Sequence, residues 1–182
     1  MLTFDQAYEF TKTIGSHTSF EKEECEAYFD ILMTIPPKSL IVEVGLEYGR
    51  SSSIALQVAI ECGLIYRGVD ISPKEEWFTK LAPLADSLGN RFGGRFGWDS
   101  KSVTVSFPIS AILIDGDHSY EGVKADCEHF LPHVSIGGFA MFHDIDRESL
   151  PDVTRAVREY FGVHVGWQHV TTVGTLGVWR RL

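Results

Sequence analysis

Cysteine is scarce and unpaired here: Cys25, Cys62 and Cys127 stand alone among 182 residues, with no Cys-x-x-Cys pair. An odd, widely spaced set argues against a disulfide framework and suits a reducing cytoplasm. No stretch approaches the ~18 consecutive apolar residues of a membrane-spanning helix, so no membrane partner is expected. The opening Met1-Leu2-Thr3-Phe4-Asp5 lacks the basic and apolar regions of a signal peptide, which points to a cytoplasmic address. Positive charge is in deficit, 16 Lys and Arg against 25 Asp and Glu, for a net −9. Without a basic stripe to replace counterions, a nucleic-acid backbone is not expected as a partner. A small anionic substrate is not excluded, because it needs only local positive charge. Repeats, low-complexity tracts and linkers are also absent, so residues 1–182 are expected to form one domain.

What is present is an alternation of strand and helix signals. Thr3 with Gln6 fits a capping box, and Ser19 with Lys22 and Glu23 opens a second helix that Pro36-Pro37 stops. Residues 1–37 are thus expected to be an N-terminal helical cap, with Phe20, Tyr28 and Phe29 over the ligand cleft. Residues 38–182 are expected to form a Rossmann-like core. Strands are predicted over 40–44, 64–69, 91–96, 109–114 and 138–142, and helices over 51–62, 75–88, 120–131 and 153–160. Two closing strands, 163–170 and 175–179, are joined by a short turn at Gly174. The predicted fold class is α/β: a mostly parallel sheet of about seven strands, helices on both faces, and an antiparallel C-terminal hairpin. The short 103–107 segment leaves one crossover without a predicted helix.

Charge gathers at the strand ends. Ala111 to Ile114 is an apolar run of buried-strand length that breaks into Asp115-Gly116-Asp117-His118-Ser119. A second run, Ala140-Met141-Phe142, ends in His143-Asp144. Ligands of open α/β sheets bind outside the carboxyl ends of the strands. If these two strands are neighbours, Asp115, His143 and Asp144 converge on one ligand-sized space. The oxygens suit Mg²⁺, whereas a histidine favours a transition metal or serves only as a hydrogen-bonding neighbour. After the first strand, Gly45 and Gly49 allow a sharp turn and close approach of a ligand, but G-x-G-x-x-G is missing. After the second, Asp70 is placed to accept both hydroxyls of a ribose, or else to cap the next helix.

Taken together, Val42-Glu43-Val44-Gly45 with Gly49, Val69-Asp70, Ile114 to Asp126, Gly137-Gly138 and His143-Asp144 resemble class I S-adenosylmethionine-dependent methyltransferases. The nearest likeness is to a bacterial subgroup of small O-methyltransferases related to macrolide and sugar O-methyltransferases. The resemblance implies that Gly45, Gly49 and Ser51 line the methionine portion of S-adenosylmethionine, with Glu43 beneath it and Asp70 on the ribose. It also implies that Asp99 and Ser100, beside Trp98, border the adenine; a turn with a half-buried tryptophan is the plainer reading. In metal-dependent relatives the strand ends supply an Asp and then an Asp-Asn pair, where this chain has Asp115 and His143-Asp144. His118 stands where related enzymes place a basic residue, and its pKa suits a general base near neutrality. It could equally order its own turn.

Other motifs lead nowhere. Asp115-x-Asp117-x-Ser119 imitates an EF-hand opening, but Tyr120 stands where glycine is needed. His129 and His133 have helical metal-binding spacing but are separated by Pro132. The function expected is methylation of a small-molecule hydroxyl, with Asp115 and His118 as the catalytic pair. A divalent metal would act through Asp115, His143 and Asp144. A homodimer could complete the pocket. The rival expectations are a nucleotide-dependent oxidoreductase and a cofactor-binding protein without catalysis.

Overall fold

In the computed structural model, which describes residues 1–14 and 20–182, seven strands form one sheet in the order β3-β2-β1-β4-β5-β7-β6. The strands are β1 Leu40–Val44, β2 Ile65–Asp70, β3 Phe92–Phe96, β4 Ile109–Ile114, β5 Val134–Phe142, β6 Trp167–Val173 and β7 Leu176–Arg181. All pairs among β1 to β5 are parallel, and β7 pairs antiparallel with both β5 and β6. The expected fold class is therefore the observed one.

Side-chain alternation along the strands sorts the core into two layers. Ile41, Tyr66, Leu113 and Met141 face one way, with α1 Phe4–Thr11, α2 Lys22–Met33, α3 Arg50–Cys62 and α4 Ala82–Leu88 packed over them. Val42, Ile112, Ala140 and Phe142 face the other way, beneath α5 Tyr120–Phe130 and α6 Pro151–Val163. Helices on both faces cover most of the parallel strands, as buried parallel sheets require.

Local chemistry explains most boundaries. Thr3 and Gln6 form the predicted capping box of α1. Helix α2 is capped instead by Glu21 with Glu24, and the predicted start at Ser19 lies outside the described residues. The predicted helix over 75–88 contains a π-helical turn, Trp77–Leu81, just before α4. Pro83 has no N–H to offer and would crowd the carbonyl four residues back, so the turn ahead of it widens. Pro151 opens α6 at a position where a missing N–H costs nothing. That helix runs on through Val163, so the strand expected from 163 begins only at Trp167. No helix of the described residues is long and apolar enough to cross a membrane.

The N-terminal helices do not roof the cleft as expected. Phe20, Tyr28 and Phe29 are buried in the core. Their layer reaches the strand ends from behind, through Glu24 and the ring of Phe20, whose centroid is 5.0 Å from that of His143.

Candidate active site

Strand order decides what meets at the carboxyl edge of the sheet. Because β1 lies between β2 and β4, with β5 next, the loops after Val44, Asp70, Ile114 and Phe142 open side by side. They border a cavity of about 800 Å³, within the ordinary range for a small-molecule site. Gly45, Asp70, Trp98, Asp99 and Ser100 line one part of it, and Asp115, His118, Asp144 and Arg147 another.

The glycine loop is shaped by contact. Gly45 sits at φ +86°, and a Cβ there would lie 2.0 Å from the carbonyl oxygen of Asp115. Only glycine lets the loop after β1 pass so close to the loop after β4. Asp70 holds the same loop by its backbone. Its Oδ2 accepts the N–H groups of Leu46 at 2.6 Å and Glu47 at 3.0 Å, and Oδ1 accepts that of Ser72 at 2.6 Å. A ribose hydroxyl would have to share Oδ1. The carboxylate thus tethers the loop after β1 and also lines the cavity.

Three of the predicted cofactor residues stand behind the wall. Glu43 is fully buried and accepts the hydroxyls of Ser51 and of Tyr66, the latter at 2.6 Å. Burial pushes its pKa up to about 7, against the pull of those donors. Gly49, at φ +95°, caps α3 and lies against Leu81, whose Cδ1 would be 2.4 Å from an added Cβ. Among the described residues, Glu43, Gly49 and Ser51 do not line the cavity; they fix the loop that does.

On the far side of the cavity, Asp99 and Ser100 lie on its surface, and Trp98 is half exposed. Ser100 donates its hydroxyl to Asp126, a buried carboxyl whose pKa burial raises to about 6. Asp126 is a cavity residue that sequence reading missed; its only signal was an acid on the inner face of α5.

The polar cluster lies at the ends of β4 and β5. His118 Nε2 is 3.3 Å from Asp115 Oδ1 and 3.1 Å from Asp144 Oδ2. Asp115, His118 and Asp144 each offer a ligand atom within 4.8 Å of the others. Two carboxylates and one imidazole are a fitting donor set for a divalent cation. The structure thus brings the two predicted acids together and adds His118, the residue expected as base. His143 lies behind them, fully buried. Its Nε2 pairs with Glu24 Oε2 at 3.2 Å, and Nδ1 makes no hydrogen bond, though Asp115 Oδ1 lies 3.4 Å away.

Charges alternate through this cluster. Hydrogen bonds to Asp115 and Asp144 raise the His118 pKa to about 10 against the effect of burial. Burial would lower that of His143, but the surrounding carboxylates raise it further than burial lowers it. Burial alone would raise Asp144; bonds from His118, His143 and Arg147 hold it well below the carboxylate range instead. Arg147 reaches Asp144 Oδ1 at 2.6 Å. Asp144 adopts φ +62°, a left-handed conformation that aspartate tolerates better than most residues. Arg147 and Glu24 were not singled out from the sequence. Glu24 carried a faint signal, since it lies one helical turn before Tyr28 on the buried face of α2.

Comparison with known proteins bears on the family and the fold. A family model described as a methyltransferase domain matches residues 42–145. No curated protein matches the chain. Among solved structures, apo CalS11, a TDP-rhamnose 3'-O-methyltransferase of calicheamicin biosynthesis, superposes with a TM-score of 0.67 at 16% identity, covering 97% of this chain and 93% of that one. The O-methyltransferase NovP gives 0.66 at 18% identity, over 92% and 83% of the two chains. Cofactor-bound Rv0187 from MTB gives 0.72 at 14% identity, over 97% and 88%. At such identities the likeness is one of fold.

Proposed function

The chain belongs to the methyltransferase-domain family, and from that premise we propose that it methylates a hydroxyl of a small molecule, using S-adenosylmethionine and a divalent cation. The observation that carries this reading is the single cavity holding both halves of the chemistry. The glycine loop with Asp70 and the Asp115–His118–Asp144 cluster line the same cavity.

When bound, the cofactor supplies an electrophilic methyl group and the cation lowers the pKa of a hydroxyl. This chain's own residues then do the positioning. The backbone at Gly45 allows close approach, and Asp70 holds that loop through two N–H bonds, from Leu46 and Glu47. Asp99 and Ser100 border the far end, where the adenine is expected. Asp115 and Asp144 would hold the cation, with His118 as the third ligand and His143 behind them. Methyl transfer is an in-line displacement, so holding donor and acceptor aligned within one cavity supplies much of the rate.

The role of His118 depends on its proton. With a pKa near 10, the imidazole is protonated between the two carboxylates at neutral pH and donates to them. As a ligand it would give up that proton, and its coordinated nitrogen would have no lone pair left for a substrate proton; as a base it would have to stand clear of the cation. Arg147 and the exposed Lys74 and Lys101 give the cavity the local positive charge an anionic substrate would need. Cytoplasmic residence and a homodimer that completes the pocket belong to the same proposal.

Calorimetric titration with S-adenosylhomocysteine, with and without Mg²⁺, tests the reading. Micromolar binding supports the cofactor assignment. Heat from Mg²⁺ that disappears in Asp115→Asn supports the cation. Absence of binding under both conditions would sink the proposal.

A further inference from the structure

The connection from β3 to β4 is unlike the other crossovers. Residues 97–108 form a short 3-10 turn at Ser100–Ser102 and then an extended run, with no α-helix. The side of the sheet that α5 and α6 cover over β4 and β5 therefore has no helix over it toward β2 and β3, only the run from Ser102 to Pro108. Register fixes which residues face this gap. Leu40 and Val42 of β1 lie beside Ile65 and Arg67 of β2, and Arg67 and Val69 lie beside Gly93 and Arg95 of β3. Together with the 102–108 run they wall a groove of about 1030 Å³.

The groove is apolar, with Arg67 and Arg95 toward the carboxyl ends of β2 and β3 and Lys38 near the amino end of β1. Leu40, Val42, Ile65 and Val69 give it an aliphatic floor, with Val103 and Val105 on the crossing strap. Its charged lining residues are Lys38, Arg67 and Arg95, and no carboxylate lines it. Among the described residues, none of these three cations has an acid within 4.0 Å, in a chain of net charge −9. Arg67 is laid flat along the sheet: an added Cβ at Gly93 would come within 2.6 Å of its Cδ. Its Nη1 donates to the carbonyls of Tyr66 and Arg91 at 2.8 and 2.9 Å, which leaves the rest of the guanidinium to the groove. Burial and the neighbouring Arg95 both lower the Arg67 pKa, the mark of positive charge without a counter-charge.

We propose that this sheet face binds a soluble single-chain amphiphile, an aliphatic chain with an anionic head, the head against Arg67 and Arg95, with Lys38 adding positive charge toward the other end of the groove. Charge complementarity selects the head, and the floor of branched aliphatic side chains selects the tail. The site is separate from the methyl-transfer chemistry, but Val69 and Trp98 line both cavities. Occupancy of the groove would therefore change affinity for a ligand of the first cavity, and the effect must be reciprocal.

The test is calorimetry of the full chain with dodecanoate below its micellar concentration, and with dodecyltrimethylammonium for comparison. The expected result is micromolar dodecanoate binding that weakens about tenfold or more in the double variant Lys38→Glu, Arg95→Glu, with little binding of the cationic amphiphile. Both substituted side chains are exposed and outside the proposed catalytic site, so S-adenosylhomocysteine should still bind the variant. Should charge reversal impair folding, Lys38→Gln with Arg95→Gln gives the same comparison more gently. Dodecanoate that fails to bind, binds no better than the cation, or binds the variants equally would overturn the proposal. So would binding to anionic phospholipid vesicles without binding of the free carboxylate. Since none of these outcomes depends on methyl transfer, failure here leaves the proposed enzyme activity standing.

Discussion

Glu24 on α2 and His143 at the end of β5 stand 119 residues apart in the chain and meet at 3.2 Å in the interior. Both are buried, and the Glu24 carboxylate is fully committed. Oε1 accepts the Thr175 N–H and hydroxyl, and Oε2 accepts the Glu21 N–H beside His143. Through His143 the N-terminal layer abuts the acids of the candidate active site, so this pair ties the first helices to the chemistry.

Removing the charge of Glu24 should be costly. Glu24→Gln keeps the shape but leaves a buried imidazolium facing a neutral amide, and the expected loss is about 3 kcal/mol of stability. Burial would raise the Glu24 pKa, but the bonds from His143, Glu21 and Thr175 hold it down, from 4.5 to about 2. A depressed carboxylate contributes its stability above the unfolded pKa and loses it as pH falls toward the folded one. Wild-type stability should therefore decline between pH 4.5 and 2 more steeply than that of the variant. Urea melts at several pH values measure the slopes, and parallel slopes would contradict the pairing.

Asp115 separates binding from chemistry. Its carboxylate faces His118 and His143, while the glycine loop meets only its backbone oxygen. Asp115→Asn should abolish methyl transfer and Mg²⁺ binding, with S-adenosylhomocysteine affinity within about threefold of wild type. A parallel loss of cofactor affinity would refute this division between the two walls.

Asp70 should show the opposite pattern. Asp70→Ala orphans the N–H groups of Leu46 and Glu47, which hold the proposed cofactor wall, and that of Ser72 in its own turn. Cofactor affinity should fall by about tenfold or more, with Mg²⁺ binding at the cluster unchanged. Titration of both ligands into the one variant decides the matter.

Much of this was legible in the residues. The apolar run from Ile109 to Ile114 admits no reading but a buried strand, and its collapse into Asp115 marked the site. Adjacency of β4 and β5, which the sequence left as a condition, placed Asp115 beside Asp144. What the sequence did not reveal were long-range pairings without local periodicity: Glu24 with His143, Ser100 with Asp126, and Asp70 with the loop after β1. His118 and His143 were distinguishable only in space. One lies three residues past a strand end on a turn that swings it back over Asp115; the other is held inward by Glu24. The alternating run from Ser102 to Phe107 resembles a strand, yet it lies extended and unpaired beside the helix-free sheet face.

Glu43 offers a test of burial itself. Burial pushes its pKa up, from 4.5 to about 7, despite the hydroxyl donors Ser51 and Tyr66. Between those values the folded chain retains a proton that the unfolded chain has released, so stability falls as pH rises through the window and stays lower above it. Glu43→Gln has no such proton to lose. Both hydroxyls can rotate to accept from an amide, so the substitution fits the same pocket. Compared with their difference at pH 4, the variant should gain about 3 kcal/mol on wild type by pH 8. Denaturant melts of the two proteins at these two pH values give the comparison, and packing effects of the substitution cancel between them. An unchanged difference would mean that Glu43 is ionised in the fold, stabilised there by its hydroxyl donors.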